Sequence, residues 1–365
     1  MIETKRFEPY EGKPDKERLL AAFRRKPVDR VPNWEVLIED RHVEKMLGRF
    51  AGNTLAFGGD PAKGIVDTEV VRPMKAKDYV DICNIIGQDA MIIESIWTPY
   101  KREDENGKLV QVADRSIKNI KDFRKLKKPD QKDIDRVLKY IREYKEATEG
   151  TKIGVTVLFG CLSQTFYEFM VGMNDFMMAC YEDKPFIEEI LEDSTEYLIE
   201  FCKAIVSESV DFIWPADDIA FKSGLFLPPK FMKEMWVPRM ARIMEPALDA
   251  GIPVMFHSDG KLDEIVEDLI EMGVNCLNPM DPYGIDYRDY KKRYGNRLCL
   301  SGNIDIEFPL SKGTPEDVEK DVRQHMEVLK PGYGYVAGSS HSIVNYIPYE
   351  NFVTMINAIH KYGRY

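Results

Sequence analysis

The sequence predicts an α/β protein with the (β/α)8 architecture of a TIM barrel, and three observations support this fold class. Eight apolar runs end in polar residues or glycine, as buried parallel strands do. Segments with helical periodicity separate most of these runs. The chain has 365 residues, 44% of them hydrophobic, which is enough for one large core. A doubly wound open sheet is the alternative, but no G-x-G-x-x-G motif follows the first predicted strand.

Strands and helices alternate along the chain. The predicted strands span 31–36, 90–95, 152–160, 210–218, 252–257, 274–280, 298–305 and 334–340. The clearest predicted helices span 174–206, 229–250, 261–272 and 314–329. We expect a single domain over 1–365, with an N-terminal helical cap at 1–26 and an insertion near the barrel mouth at 97–150. Within that insertion, 98–114 predict a hairpin that turns around Glu105-Asn106-Gly107.

Charge and composition argue against several classes of function. The net charge is −11 and the basic residues are dispersed, so a nucleic-acid-binding surface is not expected. No apolar run approaches about 18 residues and no charged-then-apolar leader is visible, so we expect a cytoplasmic protein with no membrane segment. The six cysteines form no C-x-x-C pair, which predicts reduced thiols.

The run from Ile252 to Gly260 is the most informative candidate for a site. Its apolar residues lead directly into His257, Ser258 and Asp259. The spacing of His257 and Asp259 puts both side chains on one face of an extended chain, at the strand end where barrel active sites lie. They could bind a metal ion or act as an acid and base. The alternative is an ordinary loop in which Asp259 caps the next helix.

Side chains at the ends of the other predicted strands widen this candidate site. Asp217 and Asp218 follow one strand, Asn303 and Asp305 another, and Ser340 and His341 the last. The aspartates also suit helix caps, and the aromatic residues Phe159 and Tyr167 suit either a substrate pocket or the core. Three other histidines, His42, His325 and His360, are expected at the surface.

Several short motifs in this order resemble the uroporphyrinogen decarboxylase superfamily, which includes zinc-dependent corrinoid methyltransferases. They are Pro-Val-Asp-Arg-Val-Pro at 27–32, Gly-Gln-Asp-Ala at 87–90, Pro-Ala-Asp-Asp-Ile-Ala at 215–220, His-Ser-Asp-Gly at 257–260, Leu-Asn-Pro at 277–279, Gly-Asn-Ile-Asp at 302–305 and Ser-His-Ser-Ile at 340–343. They extend over nearly the whole chain. The resemblance implies a TIM barrel with its active site at the carboxyl ends of the strands.

Departures from the decarboxylase pattern favour the methyltransferase branch. In the decarboxylases of the superfamily that this chain resembles, the first strand carries an arginine segment that binds the substrate carboxylates. This chain has Asn33-Trp34-Glu35 there, and its second strand ends in Glu94 instead of an aspartate signature. A buried carboxylate facing a polyanion costs several kcal/mol. Uroporphyrinogen is therefore expected to fit poorly.

In the methyltransferase branch that this chain resembles, the barrel binds zinc through an H-x-C motif and a later cysteine. The matching residues in this chain are His257-x-Asp259 and Ser340-His341. The resemblance implies a zinc site of His257, His341 and one carboxylate, with Asp259 expected and Asp218, Glu94 or Glu35 as alternatives. The missing thiolates disfavour the thiol-methylating members. The expected catalytic residues are Glu35, Glu94, Asp218, Asp259 and Asn303, and the expected substrate contacts are Trp34, Phe159, Tyr167, Asp217 and Asp305.

The implied reaction moves a methyl group between a small methyl ether, alcohol or thiol and a corrinoid, with zinc as Lewis acid. The corrinoid would arrive on a separate protein, because the chain has no D-x-H-x-x-G motif. The expected partners are this corrinoid protein, the small methyl donor or acceptor and, in a homodimer, a second copy of the chain. Two alternatives stay open: a metal-free decarboxylase for uroporphyrinogen or a smaller acid, and a non-catalytic binding barrel.

Overall fold

A computed structural model of the chain describes residues 6–8, 12–52, 74–95 and 98–365, and a parallel sheet forms its centre. The strands are β1 (Ala90–Ser95), β2 (Lys101–Glu103), β3 (Leu109–Gln111), β4 (Gly154–Gly160), β5 (Phe212–Ala216), β6 (Ala220–Phe221), β7 (Gly224–Leu225), β8 (Met255–His257), β9 (Cys276–Asn278), β10 (Cys299–Ser301) and β11 (Tyr335–Val336). Seven of them pair in the order β1-β4-β5-β8-β9-β10-β11, all in parallel. The α/β class and the barrel order predicted from the sequence are confirmed.

The first predicted strand, 31–36, is not a continuous strand in the structure. Only Asn33 pairs on both sides, with Gln88 just before β1 and with Ala337 just after β11. Pro32 has no backbone N–H to donate, and the Glu35 N–H donates to the Gln88 side chain instead of to a neighbouring strand. These three residues, Asn33, Gln88 and Ala337, form a short seam that joins the two edges of the seven-stranded sheet.

Helices cover the outside of the sheet. They are α1 (Lys16–Phe23), α2 (Asp40–Leu47), α3 (Ala76–Ile86), α4 (Ile120–Phe123), α5 (Gln131–Ala147), α6 (Met173–Glu182), α7 (Lys184–Ser207), α8 (Pro229–Phe231), α9 (Val237–Asp249), α10 (Val266–Glu271), α11 (Tyr287–Tyr294), α12 (Pro315–Leu329) and α13 (Tyr349–Tyr362). The predicted helix 174–206 is two helices, because Asp183 ends α6 and caps α7 at Phe186 N, with Pro185 in the first turn of α7. Helix α12 is capped at its N-terminus by Thr314, which forms a capping box with Asp317.

Alternation along the strands separates the barrel interior from the outer core. Phe212, Trp214 and Ala216 of β5 point inwards, where they meet the interior residues of the other strands, while Ile213 packs outwards against helices. Helix α1 closes the lower end of the barrel, and Phe23 packs edge-on against Phe212 with ring centroids 5.1 Å apart. The interior is therefore a packed core that leaves the upper end for chemistry.

The extra segments flank this barrel. Strands β2 and β3 pair antiparallel inside the predicted hairpin range 98–114, with the turn at 104–108. Helix α1 lies inside the predicted cap 1–26, of which 1–5 and 9–11 fall outside the described residues, as does 97 of the predicted insertion. Among the described residues, no helix is long and apolar enough to cross a bilayer.

The expectation of surface positions for three histidines is wrong. His42 and His325 are 2% and 4% exposed, and His360 is half-buried with Nε2 bonded to the Ile86 carbonyl at 2.8 Å. Burial and the nearby cation of Arg30 lower the pKa of His360 to about 4. Each ring forms at least one hydrogen bond to a backbone carbonyl or an amide, and all three lie away from the strand ends, so these histidines are structural residues.

Candidate functional site

Three side chains converge where β5 and β8 end. Ala216 and Met255 point into the barrel, so the inward alternation continues to Asp218, His257 and Asp259 above them. One ligand-capable atom from each of the three lies within 4.8 Å of the others. The strand ends therefore bring a nitrogen and two carboxylates to one point, which is a geometry suited to a metal ion.

Hydrogen bonds hold Asp218 in place from two sides. Its Oδ1 accepts from the Asp259 backbone N–H at 2.9 Å, and its Oδ2 accepts from Gln164 Nε2 at 3.1 Å. The Gln164 Oε1 in turn accepts from the Asp218 backbone N–H at 3.1 Å. Tyr167 adds a bond from its hydroxyl to the Asp218 carbonyl at 2.6 Å. The carboxylate is thus fixed by two segments that follow β4 and β8.

The ring of His257 is oriented from below by a side-chain amide. Its Nδ1 lies 3.0 Å from Asn278 Oδ1, and the Nδ2 of Asn278 donates to Ser301 Oγ at 2.9 Å. With this amide orientation, Nδ1 of His257 carries the proton and donates it, so Nε2 presents its lone pair towards the carboxylates. Nε2 lies 4.0 Å from Asp218 Oδ1. The ring also packs edge-on against Trp214 at 5.9 Å.

The two carboxylates repel each other. Burial and, next, the charge of Asp218 raise the pKa of Asp259 to about 7, while His257 opposes the shift. In the described part of the chain, no lysine or arginine forms an ion pair with either carboxylate; the basic side chains within 4.0 Å of them are those of His257 and His341. A bound cation would remove this repulsion.

The fourth member of the group is His341, on the turn after β11. Its Nε2 lies 4.0 Å from Asp259 Oδ2. Desolvation and the neighbouring His257 lower the pKa of His341, which keeps the ring neutral, although its side chain is still 52% exposed to water. His341 and Asp259 thus meet from opposite sides of the barrel mouth.

The neighbouring Asp217 points away from this cluster and builds the wall behind it. It is fully buried and accepts hydrogen bonds from Ser163 N and Oγ, from Gln164 N and from Trp236 Nε1 at 2.7 Å. Burial raises the pKa of Asp217 to about 6 despite these donors. The carboxylate ties the segment that carries Gln164 to the end of β5.

Gly260 ends the motif because only glycine fits its turn. Its φ is +90°, and a Cβ there would lie 2.3 Å from the Ala220 carbonyl oxygen. The Gly260 N–H donates to Asp281 Oδ2 at 3.0 Å, which anchors the turn to the next strand end. The close approach of the Ala220 backbone keeps Asp259 directed into the mouth.

A cleft of about 450 Å³ opens above Asp259 and His341. It contains more carboxylates than ammonium groups: Asp259, Asp281, Asp305 and Glu307 against Lys222 and Lys312. Lys312 pairs with Glu307, and the Lys222 ammonium lies 3.8 Å from the centre of the Tyr283 ring. The cleft is therefore acidic and leaves few cationic groups for an anionic ligand.

The structure places some predicted site residues away from this cleft. Trp34 packs in the barrel interior against Phe212 and Trp214, at 5.5 and 5.3 Å. Phe159 faces outwards and contacts Phe201 of α7 at 5.5 Å, because its neighbour Leu158 takes the inward position. Both side chains are core residues, 1% exposed, which separates them from any substrate in the cleft.

Asn303 and Glu35 are also buried outside the cleft. Gly302, with φ +100°, breaks the strand alternation, so the Asn303 amide turns to the Met280 carbonyl and to His325 Nε2 at 2.7 Å. Glu35 is 1% exposed and bonded to Ser339. Its carboxyl cannot face a substrate in the cleft, which corrects the argument that Glu35 meets the substrate charge.

Two further candidates lie nearer the mouth. Glu94 is the residue before the last in β1, lies in register with Leu158 and is half-buried, and its charge acts on the Cys161 thiol. Asp305 lines the cleft, while its Oδ1 also accepts from the Glu307 backbone N–H at 2.8 Å. Both roles expected for Asp305 are therefore present: it lines the cleft and it caps the start of the next segment.

Sequence reasoning missed Gln164, Asn278 and Asp281. Gln164 lies directly before the π-helical segment Thr165–Met170 that follows β4, and no periodic pattern distinguished it. Asn278 was available in principle, because it lies near the end of the predicted strand 274–280, in the Leu-Asn-Pro motif, and pairs with His257. Polar residues at the end of each barrel strand, taken together with the parallel order, would have indicated both Asn278 and Asp281.

The donor set fits a zinc ion. Nε2 of His257 and one oxygen each from Asp218 and Asp259 supply the three protein ligands typical of catalytic zinc, and His341 lies beside Asp259 at the open side. Two uncompensated carboxylates beside one another supply the negative charge that a divalent cation neutralises. These four residues would hold the ion.

The chain is similar to known proteins over most of its length. Residues 84–362 match the profile of the uroporphyrinogen decarboxylase (URO-D) family. The chain is 26% identical over 197 residues to the methylcobamide:CoM methyltransferase MtaA of Methanosarcina barkeri, covering 53% of this chain and 54% of that protein. It is 25% identical over 270 residues to the uroporphyrinogen decarboxylase of Methylobacillus flagellatus, covering 72% and 73%. The match to MtaA thus spans about half of that relative.

A solved structure shares the fold. The methyltransferase from Methanosarcina mazei superposes with a TM-score of 0.67 at 17% identity, covering 96% of this chain and 99% of that one. The shared architecture agrees with the barrel order of the strands, and the family profile covers well over half of the residues. The chain belongs to the uroporphyrinogen decarboxylase (URO-D) family.

Proposed function

We propose that the chain is a methyltransferase that moves a methyl group between a small oxygen-containing substrate and a corrinoid on a separate protein, with zinc held at the strand ends. The observation that carries the proposal is the convergence of Asp218, His257 and Asp259 within 4.8 Å below an open cleft. Relatives in the same family include a methylcobamide:CoM methyltransferase. The substrate, the zinc and the corrinoid partner are parts of the proposal.

A zinc ion bound there supplies Lewis acidity that stabilises negative charge on a substrate oxygen. The residues around it supply position and charge. Asn278 fixes the His257 tautomer, Gln164 fixes Asp218, and the Gly260 turn directs Asp259. His341 is neutral because its pKa is lowered, so the lone pair of its Nε2 is available to the metal ion beside Asp259.

The ligand chemistry favours an oxygen substrate over a thiol. One imidazole and two carboxylates form a harder set than the paired thiolates of the thiol-methylating members, and hard sets suit oxygen. The cleft contains four carboxylates, Asp259 among them, and two ammonium groups, one of which is already paired with Glu307. This charge disfavours a polyanion such as uroporphyrinogen and suits a neutral methyl ether or alcohol.

A decarboxylase is the second candidate. The chain is 25% identical over 270 residues to a uroporphyrinogen decarboxylase, and Asp218 and Asp259 could accept hydrogen bonds from pyrrole N–H groups. This role would require no metal. The acidic cleft is the observation against it, because a substrate with many carboxylates has few cationic partners there.

Two assays on the purified full chain separate the candidates. The first measures zinc by elemental analysis and, in the absence of oxygen, methylation of cob(I)alamin by methanol and by a set of neutral methyl ethers. The second measures carboxylate loss from uroporphyrinogen. We expect about one zinc per chain and methylcobalamin formation with at least one donor. Turnover of uroporphyrinogen at rates on the order of 1 per second, in a zinc-free protein, would overturn the proposal.

A further inference from the structure

A buried hydrogen-bond chain connects Glu35 to the segment that carries His341. The Ser339 hydroxyl lies within hydrogen-bond distance of Glu35 Oε2 and of the His341 carbonyl oxygen. The backbone N–H of Ser339 donates to Glu35 Oε1 at 3.2 Å. Ser339 is 4% exposed and Glu35 is 1% exposed, so water does not replace these contacts.

Counting protons shows what this arrangement requires. The Ser339 hydroxyl has one hydrogen but faces two oxygens, a carboxyl oxygen and a carbonyl oxygen. The His341 carbonyl can only accept. If Glu35 were ionised, it too could only accept, and one of the two buried contacts would lack a proton. If Glu35 carries a proton on Oε2, it donates to Ser339 Oγ, and Ser339 donates to His341.

The surroundings of Glu35 favour the protonated form. In the described part of the chain, no lysine or arginine pairs with its carboxyl, and its polar contacts come from Ser339. Burial raises the pKa of Glu35 to about 8, with the Ser339 donors acting in the opposite direction. A neutral carboxylic acid avoids the desolvation of a buried charge.

We propose that Glu35 is a positioning residue that acts as a hydrogen-bond donor and, through Ser339, fixes the backbone of His341 beside Asp259. The inference rests on the proposed metal site, because His341 serves as a ligand only there. His341 is half exposed at the cleft, so its own side chain has little packing to hold it. The buried chain from Glu35 supplies the fixed point beneath the exposed ring.

Infrared spectroscopy tests the proton directly and needs no metal. We expect the difference spectrum between the wild-type protein and Glu35→Gln, both metal-free in D2O at pH 7, to show loss of one protonated-carboxyl band. Glutamine retains one acceptor and one donor, so Glu35→Gln should keep the chain to His341. Loss of carboxylate bands instead would overturn the proposal, because Glu35 would then be an acceptor.

Cobalt(II) binding tests the positioning. The probe is Co²⁺ added to the metal-free full chain, with affinity and the visible ligand-field spectrum recorded. We expect Ser339→Ala and Glu35→Ala to weaken binding by about tenfold and alter the spectrum, while Glu35→Gln stays within about twofold of wild type. Ser194→Ala is the matched control, since it removes a buried hydroxyl of α7 outside the site.

The outcomes separate this inference from the proposed function. If wild-type protein binds no Co²⁺, the proposed function fails and the role for His341 fails with it, while the infrared result still decides whether Glu35 is the donor. If Co²⁺ binds normally to wild type, Glu35→Ala and Ser339→Ala alike, the metal site stands and the positioning role is overturned. Ser339→Ala removes only one oxygen, so it tests the link even if Glu35→Ala does not fold.

Discussion

Asn278 Oδ1 lies 3.0 Å from His257 Nδ1, and this contact determines which ring nitrogen faces the carboxylates. Asn278 ends β9 in register with His257, which ends β8, so the pair follows directly from parallel strand pairing. The amide is 2% exposed and bonded on its other side to Ser301. A buried amide thus presets the tautomer that a metal ion requires.

Replacing Asn278 should weaken metal binding without removing any proposed ligand. For Asn278→Ala we expect zinc affinity to fall by about 10- to 100-fold, because the His257 ring loses its fixed tautomer. Asn278→Asp is the control, since its carboxylate still accepts the Nδ1 proton. Competition with a chelator of known affinity measures both. Equal affinity in Asn278→Ala and wild type would show that His257 is not a ligand.

Removing His257 should remove metal and leave the fold intact. We expect His257→Ala to lose zinc and methyl transfer together, with a shift in the thermal midpoint below about 4 °C. His325→Ala is the matched control, because that ring is 4% exposed, stacks on Tyr287 at 4.2 Å and lies outside the proposed site. It should lose stability and keep zinc. Zinc retained in His257→Ala would contradict the metal site.

Metal affinity should rise with pH through neutrality. The pKa of Asp259 is raised to about 7 by burial and by Asp218, so below pH 7 a proton must leave before the oxygen can bind a metal. We expect apparent affinity to fall by about tenfold per pH unit below 7 and to level off above it. Isothermal titration at several pH values measures this slope. Asp259→Asn should reduce the slope by one proton, and an unchanged slope would exclude Asp259.

Gly260→Ala should destabilise the protein because both its backbone angle and its surroundings exclude a side chain. The φ of +90° and the contact of 2.3 Å with the Ala220 carbonyl predict a loss of about 2 kcal/mol or more in unfolding free energy. Gly251→Ala is the control, since its φ is +70° but nothing lies within 4 Å of the added carbon. Urea denaturation compares them. Equal losses would mean that the packing against Ala220 is unimportant.

Strand-based features of the fold and site could be predicted from the sequence. Continuous apolar runs predict β4, β5 and β8. Because side chains alternate between the two faces of a strand, His257 and Asp259 point inwards like Met255. The same alternation directs Asp218 inwards like Ala216. Parallel strands put such residues at one end, so the cluster follows from periodicity and strand order alone.

Features that depend on turns could not be predicted in this way. The positive φ of Gly302 breaks the inward–outward alternation of side chains after β10, so Asn303 does not face the cleft. The sequence alone does not reveal this backbone angle. Gln164 reaches Asp218 from the position directly before a π-helical segment, where the sequence has no periodic signature. Phe159 was assigned to a pocket by residue type, although its position next to inward-facing Leu158 predicts the outer core. Tertiary contacts decide these positions.

The seam at Asn33 has a consequence for the order in which the molecule is assembled. The contact between Glu35 and Ser339 joins residues 304 positions apart, and the Asn33–Ala337 pairing spans a similar length. Such distant pairs form late, because closing so long a loop costs entropy before any contact compensates it. During synthesis, Asp218, His257 and Asp259 are present while His341 and its tether to Glu35 are still missing. The barrel therefore closes and His341 joins the site in the same step, after the last strand has been synthesised.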